Sequence, residues 1–152
     1  MVQKNKRTTC LAFTIIELLT IIVIIAILTT VGAIVYTNVQ KSSRDHTRNT
    51  SVTVLAEALE KYYNKNGEYP SCGVLQADPN LIAQNVLIGI DTRVFKAPRS
   101  GSEVVNSIIC NDISSTSSDV YAYVYESGGW ILQYRSEESG GVVEIKSRHH
   151  QP

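Results

Sequence analysis

Residues 13–40 read FTIIELLTIIVIIAILTTVGAIVYTNVQ, and this stretch decides the fold. From Leu18 to Gln40 there is no charged side chain, and Ile, Leu and Val dominate as far as Val35. At about 1.5 Å of rise per helical residue, Leu18 to Gln40 spans roughly 35 Å, enough to cross a hydrocarbon core of about 30 Å. A helix apolar on every face has no side suited to water, so it belongs in a membrane or in the core of an assembly. One acid, Glu17, stands at its head. An ionised carboxylate in such a segment costs several kcal/mol unless it is paired or lies at an interface. Thr14 and Glu17 have the spacing of a capping box, in which hydroxyl and carboxylate satisfy free backbone N–H groups at a helix start. The box accounts for Glu17 but not for what flanks it.

Upstream, residues 1–12, MVQKNKRTTCLA, form a short polar leader carrying Lys4, Lys6 and Arg7. Downstream, the helical pattern runs on over 41–66 and becomes amphipathic. Val52, Leu55, Leu59 and Tyr62 recur at spacings of three and four, opposite Glu57, Glu60, Lys61 and Asn64. No proline interrupts residues 13–66; Asn66-Gly67 supplies a stop, and Tyr69-Pro70 then enforces extended chain. A single helix of that length measures about 80 Å, too long for a compact domain of this size.

Residues 67–152 are expected to form an exported globular region. Asp78-Pro79 opens a short helix, with Leu81, Ile82, Leu87 and Ile88 as candidate apolar contacts, and Ser114 to Ser118 reads as an exposed loop. From Val120 the period changes to two. Val120, Ala122 and Val124 alternate with Tyr121, Tyr123 and Tyr125, Ser127-Gly128-Gly129 turns a hairpin into Trp130–Arg135, and Ser139-Gly140-Gly141 leads to a third strand, Val142–Lys146. The expected class is α+β: a long N-terminal helix, membrane-spanning in its first half and amphipathic in its second, packed on a small antiparallel sheet.

Composition narrows the function. The 152 residues are 43% hydrophobic and 18% charged, enough for one modest domain once the apolar run is set aside. With 14 basic and 14 acidic side chains, no broad nucleic-acid surface is expected. Loss of residues 1–12 removes three of those bases and no acid, leaving a mildly negative exterior. Cys10 precedes the apolar run, whereas Cys72 and Cys110 follow it. Outside the cytoplasm the latter two are raw material for a disulfide, with free buried thiols as the alternative; neither has a second Cys or a His at ligand spacing, which argues against a metal. No phosphate-cradling glycine loop, nucleophile elbow or zinc motif occurs, so neither an enzyme nor a cofactor is expected, and His149-His150 reads as a solvated tail. The tyrosines read mainly as strand and helix packing. Arg93, Lys96 and Arg99 are residue types that touch DNA or a host surface, without a pattern that supports either.

At the junction of leader and helix, AFTIIELLTIIVIIAIL resembles the class III signal of type IV prepilins and type II secretion pseudopilins. LAEALEKYYNKNGEYP, residues 55–70, is similar to the end of the long helix in that family, and the hairpin at Gly128-Gly129 to its C-terminal sheet. The resemblance implies cleavage between Ala12 and Phe13 by a prepilin peptidase, methylation of the new amine, and a role for Glu17 as partner of the N-terminus of a neighbouring copy. It also implies lipid around the helix before assembly, an inner-membrane assembly platform, separate cytoplasmic ATPases, and an extracellular helical filament of many copies. Two residues depart from the pattern: Ala12 stands where glycine is usual, and Ile34 where many major pilins have proline. Helix flexibility then rests on Gly32 and the β-branched residues before it.

Rival readings share the same residues. Val31-Gly32-Ala33 after an apolar core fits an ordinary secretory signal, releasing a chain that begins near Ile34. A single-pass anchored binding protein needs no assembly at all. Lys4, Lys6 and Arg7 on one side face Lys41, Arg44 and Arg48 on the other, so flanking charge does not set the orientation.

Overall fold

The computed structural model describes residues 13–111, 113, 117–126 and 128–149. The leader with Cys10 and Ala12, positions 114–116 of the serine-rich loop, and His150 lie outside the described residues. Helix α1 runs unbroken from Ile15 to Asn66. It stops where the sequence says it should: Gly67 adopts φ +80, and its N–H donates to the Tyr63 carbonyl at 2.8 Å, a left-handed cap that a side chain would disfavour. The chain divides into two compact units between Asn38 and Val39.

In the first unit every described residue is exposed. Thr20, Thr29, Thr30 and Thr37 turn their hydroxyls back onto carbonyls three or four residues earlier, at 2.7–2.9 Å. These four hydroxyls are thereby satisfied within the helix itself.

The second unit builds a core around α1 residues Val52, Leu55 and Leu59. After α1 come a single turn α2 (Cys72–Leu75), α3 (Pro79–Asn85) and a 3₁₀ turn (Thr92–Phe95). Asp78 caps α3 as expected, its side chain accepting from Asn80 N–H at 2.8 Å, with Pro79 at the first helical position. Ile82 and Leu87 are buried, whereas Leu81 and Ile88 point to solvent, so only half of the expected apolar contacts are made.

Strands β1 (Ile108–Ile109), β2 (Tyr121–Glu126), β3 (Gly129–Arg135) and β4 (Val142–Lys146) form one sheet in that order. The β2–β3–β4 meander is antiparallel and matches the period-two reading. The sheet is nonetheless mixed: β1 pairs parallel to β2, Ile108 opposite Tyr121. A two-residue strand leaves no alternation to read. Register places Tyr123 opposite Leu132 and Leu132 opposite Ile145, so the tyrosines of β2 share the core face with Trp130, Leu132 and Tyr134. On the other face Ala122 and Gln133 are also buried, and the Gln133 side-chain oxygen accepts from the N–H of buried Ile113 at 3.1 Å. A loop residue therefore covers part of the face that alternation alone would assign to water.

Candidate functional site

The head of α1 carries the first group of expected residues. Phe13 is exposed, and Thr14 precedes the helix as its N-cap. Glu17 N–H donates to Thr14 Oγ1 at 3.3 Å, while Thr14 N–H and Oγ1 donate to Glu17 Oε2 at 3.5 and 3.4 Å. The capping box is present, but each bond is longer than the 2.9–3.0 Å typical of N–H···O pairs. Its contribution lies at the lower end for a cap, and the carboxylate remains available to a stronger donor. Phe13 and Glu17 are thus brought to one exposed end of the helix; Ala12 is outside the described residues.

Beyond Glu17 the helix is one uncovered apolar surface. Seventeen large hydrophobics from Phe13 to Val39 are each between 43% and 88% exposed. This is the one helix among the described residues long and apolar enough to cross a membrane. Gly32 lies inside it in regular helix, and nothing stands within 4 Å of where a Cβ would be. No packing among the described residues demands a glycine there.

Cys72 and Cys110 are joined in a disulfide across a separation of 38 residues. The bridge ties the start of α2 to the segment after β1, where short elements supply little pairing of their own.

A second cluster went unread in the sequence. Arg48 is completely buried, and its guanidinium divides among three partners: Nε to the Ser118 carbonyl at 2.9 Å, Nη1 to Asp45 Oδ1 at 2.8 Å, and Nη2 to Glu137. Arg44 grips the same Glu137 through Nε at 3.0 Å and Nη2 at 2.6 Å. Asp45 accepts from Ser136 Oγ at 2.7 Å and from the N–H groups of Glu137 and Glu138 at 2.9 and 3.0 Å. The helix thereby holds the turn between β3 and β4 by a network in which each buried charge has its opposite. Hydrogen bonds from Arg44 pull the Glu137 carboxyl down to about 2, burial opposing and Arg48 assisting. Burial raises the Asp45 carboxyl, but the N–H groups of Glu137 and Glu138 outweigh it and the net direction is downward. The signal was legible: Arg48 falls on the stripe of Val52, Leu55 and Leu59, and a charge on a buried stripe requires a partner. Arg44 and Arg48 are accordingly structural residues rather than free flanking cations.

The remaining candidates are engaged locally. Arg93 closes on Asp91 at 2.6 Å, Lys96 Nζ donates to the Ser102 carbonyl at 3.3 Å, and Arg99 sits 3.6 Å from Glu137. His149 is not a free tail residue; its ring stacks on Tyr63 with centroids 4.4 Å apart. Tyr63 stacks in turn on Tyr69, whose hydroxyl donates to Glu60 at 3.0 Å. Of the seven tyrosines from Tyr62 onward, Tyr125 alone is well exposed, in keeping with a packing role for the rest.

No family model, curated protein or solved structure matches the chain.

Proposed function

We propose that the chain is a structural subunit of a type IV pilus-like filament, processed before Phe13 and assembled through the first half of α1. One observation carries the proposal: a single helix whose apolar half has no cover while its other half anchors a complete core. Burying an apolar side chain is worth about 1.5–3 kcal/mol, so seventeen uncovered ones represent tens of kcal/mol awaiting a partner. Lipid supplies that partner before assembly, and the same helices of other copies supply it afterwards. In a low-water bundle Glu17 needs an opposite charge, and the α-amine of Phe13 from the next copy provides one. The work is mechanical and adhesive, and a short pseudopilin assembly in secretion uses the same parts.

Mass spectrometry of sheared surface material, alongside electron microscopy, tests this. The expected result is filaments containing a chain that begins at Phe13, N-methylated.

One observation favours a second reading. Among the described residues the buried side chains all lie at or beyond Arg48, so a chain cut after Ala33 by a signal peptidase keeps its entire core. A mature start near Ile34 with no filaments selects that secreted form.

A further inference from the structure

Between the second half of α1 and the loop after α3 lies a groove of about 520 Å³. Ala58 and Tyr62 line it from the helix, and Ile88 from the loop. Ile88 is 68% exposed on a loop that is braced rather than loose: Gly89 N–H donates to the Ala83 carbonyl at 3.1 Å and Ile90 N–H to that of Leu87 at 3.1 Å. Gly89 takes φ +83, which lets the chain turn sharply beside this side chain. The groove's charges are unequal in their freedom. Asp91 is closed on Arg93, whereas Lys61, Lys65 and Glu57 enter no ion pair among the described residues, which leaves one positive charge in excess on the lining. A groove of mixed lining, with apolar side chains at Ala58 and Ile88 and a net excess of one ammonium group, suits an apolar side chain that stands beside a carboxylate.

The chain presents such a segment itself. Glu103-Val104-Val105 sits on a turn in which Val104 N–H donates to the Gly101 carbonyl at 3.0 Å. Val105 is 64% exposed, Val104 39%, and Glu103 is exposed with no ion pair among the described residues. We propose that the groove at Lys61, Lys65 and Ile88 of one copy receives the Glu103–Val105 turn of another. Groove and turn are different patches of one surface, so the contact is heterologous: each copy donates once and accepts once, the kind of contact that an open helical filament repeats along its length. Charge sets its register and valine burial holds it. This contact between globular units rests on the filament reading and adds to it a second interface, independent of Glu17.

The test uses the full-length chain in cells that express it. Lys61 and Glu103 are exposed, so their reversal leaves the core untouched. Lys61→Glu and Glu103→Lys should each lower the yield of sheared filaments about tenfold, and the two together should recover most of it. A cysteine pair, Ile88→Cys with Val105→Cys, should give an intermolecular ladder on oxidation of intact filaments. Filaments that show neither rescue nor ladder overturn this contact and leave the filament reading standing. Absence of filaments from the unaltered chain removes both.

Discussion

The two halves of α1 share one backbone and obey opposite rules. From Phe13 to Ser43 the residues are mostly apolar and all exposed; from Arg44 to Asn66 they are mixed, and Arg48, Ser51, Val52, Leu55 and Leu59 are buried. The buried member with the most partners is an arginine. Hydrophobicity thus does not predict which half the chain covers by itself. A patterned half finds its partner within the chain, because a polar face lets it stop at one layer. The unpatterned half has no cover among the described residues.

The comparison breaks most sharply at Arg48. Arg48→Ala leaves Glu137 and Asp45 with buried charge and one fewer donor, and should destabilise the globular unit by about 3–5 kcal/mol, read as a lower thermal midpoint. Membrane insertion of the first half should be unchanged. Equal loss of both would mean that the halves are not separable.

Reduction of Cys72–Cys110 comes next. Releasing a loop closed over 38 residues should cost about 3–4 kcal/mol by loop entropy, measured by denaturation with and without reductant.

Acid sharpens the contrast further. Glu137 has a folded value of about 2 against an ordinary 4.5, so the stability it confers is complete above about 4.5 and is lost as pH falls towards 2. Discounted for solvent screening, that loss is about 2 kcal/mol, and Glu137→Gln should flatten the acid limb of a pH–stability curve while lowering its plateau.

What was legible follows the same division. Helix α1, its Gly67 stop, the Asp78 cap and the three-strand meander were readable because period, cap and turn residues are local signals. Strand β1, the single turn α2 and the 3₁₀ turn were not, since two to four residues hold about one repeat, too little to establish a period. Leu81 was misplaced because a seven-residue helix resting on one side cannot bury all its apolar residues, and Ile88 because it lies past the end of that helix, on a loop. Glu137 lies 89 residues from Arg48, and no spacing rule connects them. At the candidate site, the Thr14–Glu17 box was read directly and the disulfide as one of two alternatives, whereas nothing among the described residues covers the apolar half of α1.

Gly32→Ala is the smallest expected effect. With room for the Cβ and regular helix around it, alanine should strengthen the helix locally by about 1 kcal/mol, seen as slower amide exchange near residue 32, and leave the globular unit's midpoint unmoved. A shift in that midpoint would contradict the division at Asn38 and Val39.

Filament counts from Glu17→Gln beside the unaltered chain decide whether other copies complete the uncovered half, with Glu17 meeting a neighbour's amine there. Glutamine fills the same capping position, and the box it would preserve is already long at 3.3–3.5 Å. The variant should insert, be cut before Phe13 and keep its disulfide, yet yield few or no filaments. Filaments in normal number and strength would contradict the charge pair and leave capping as the whole role of Glu17.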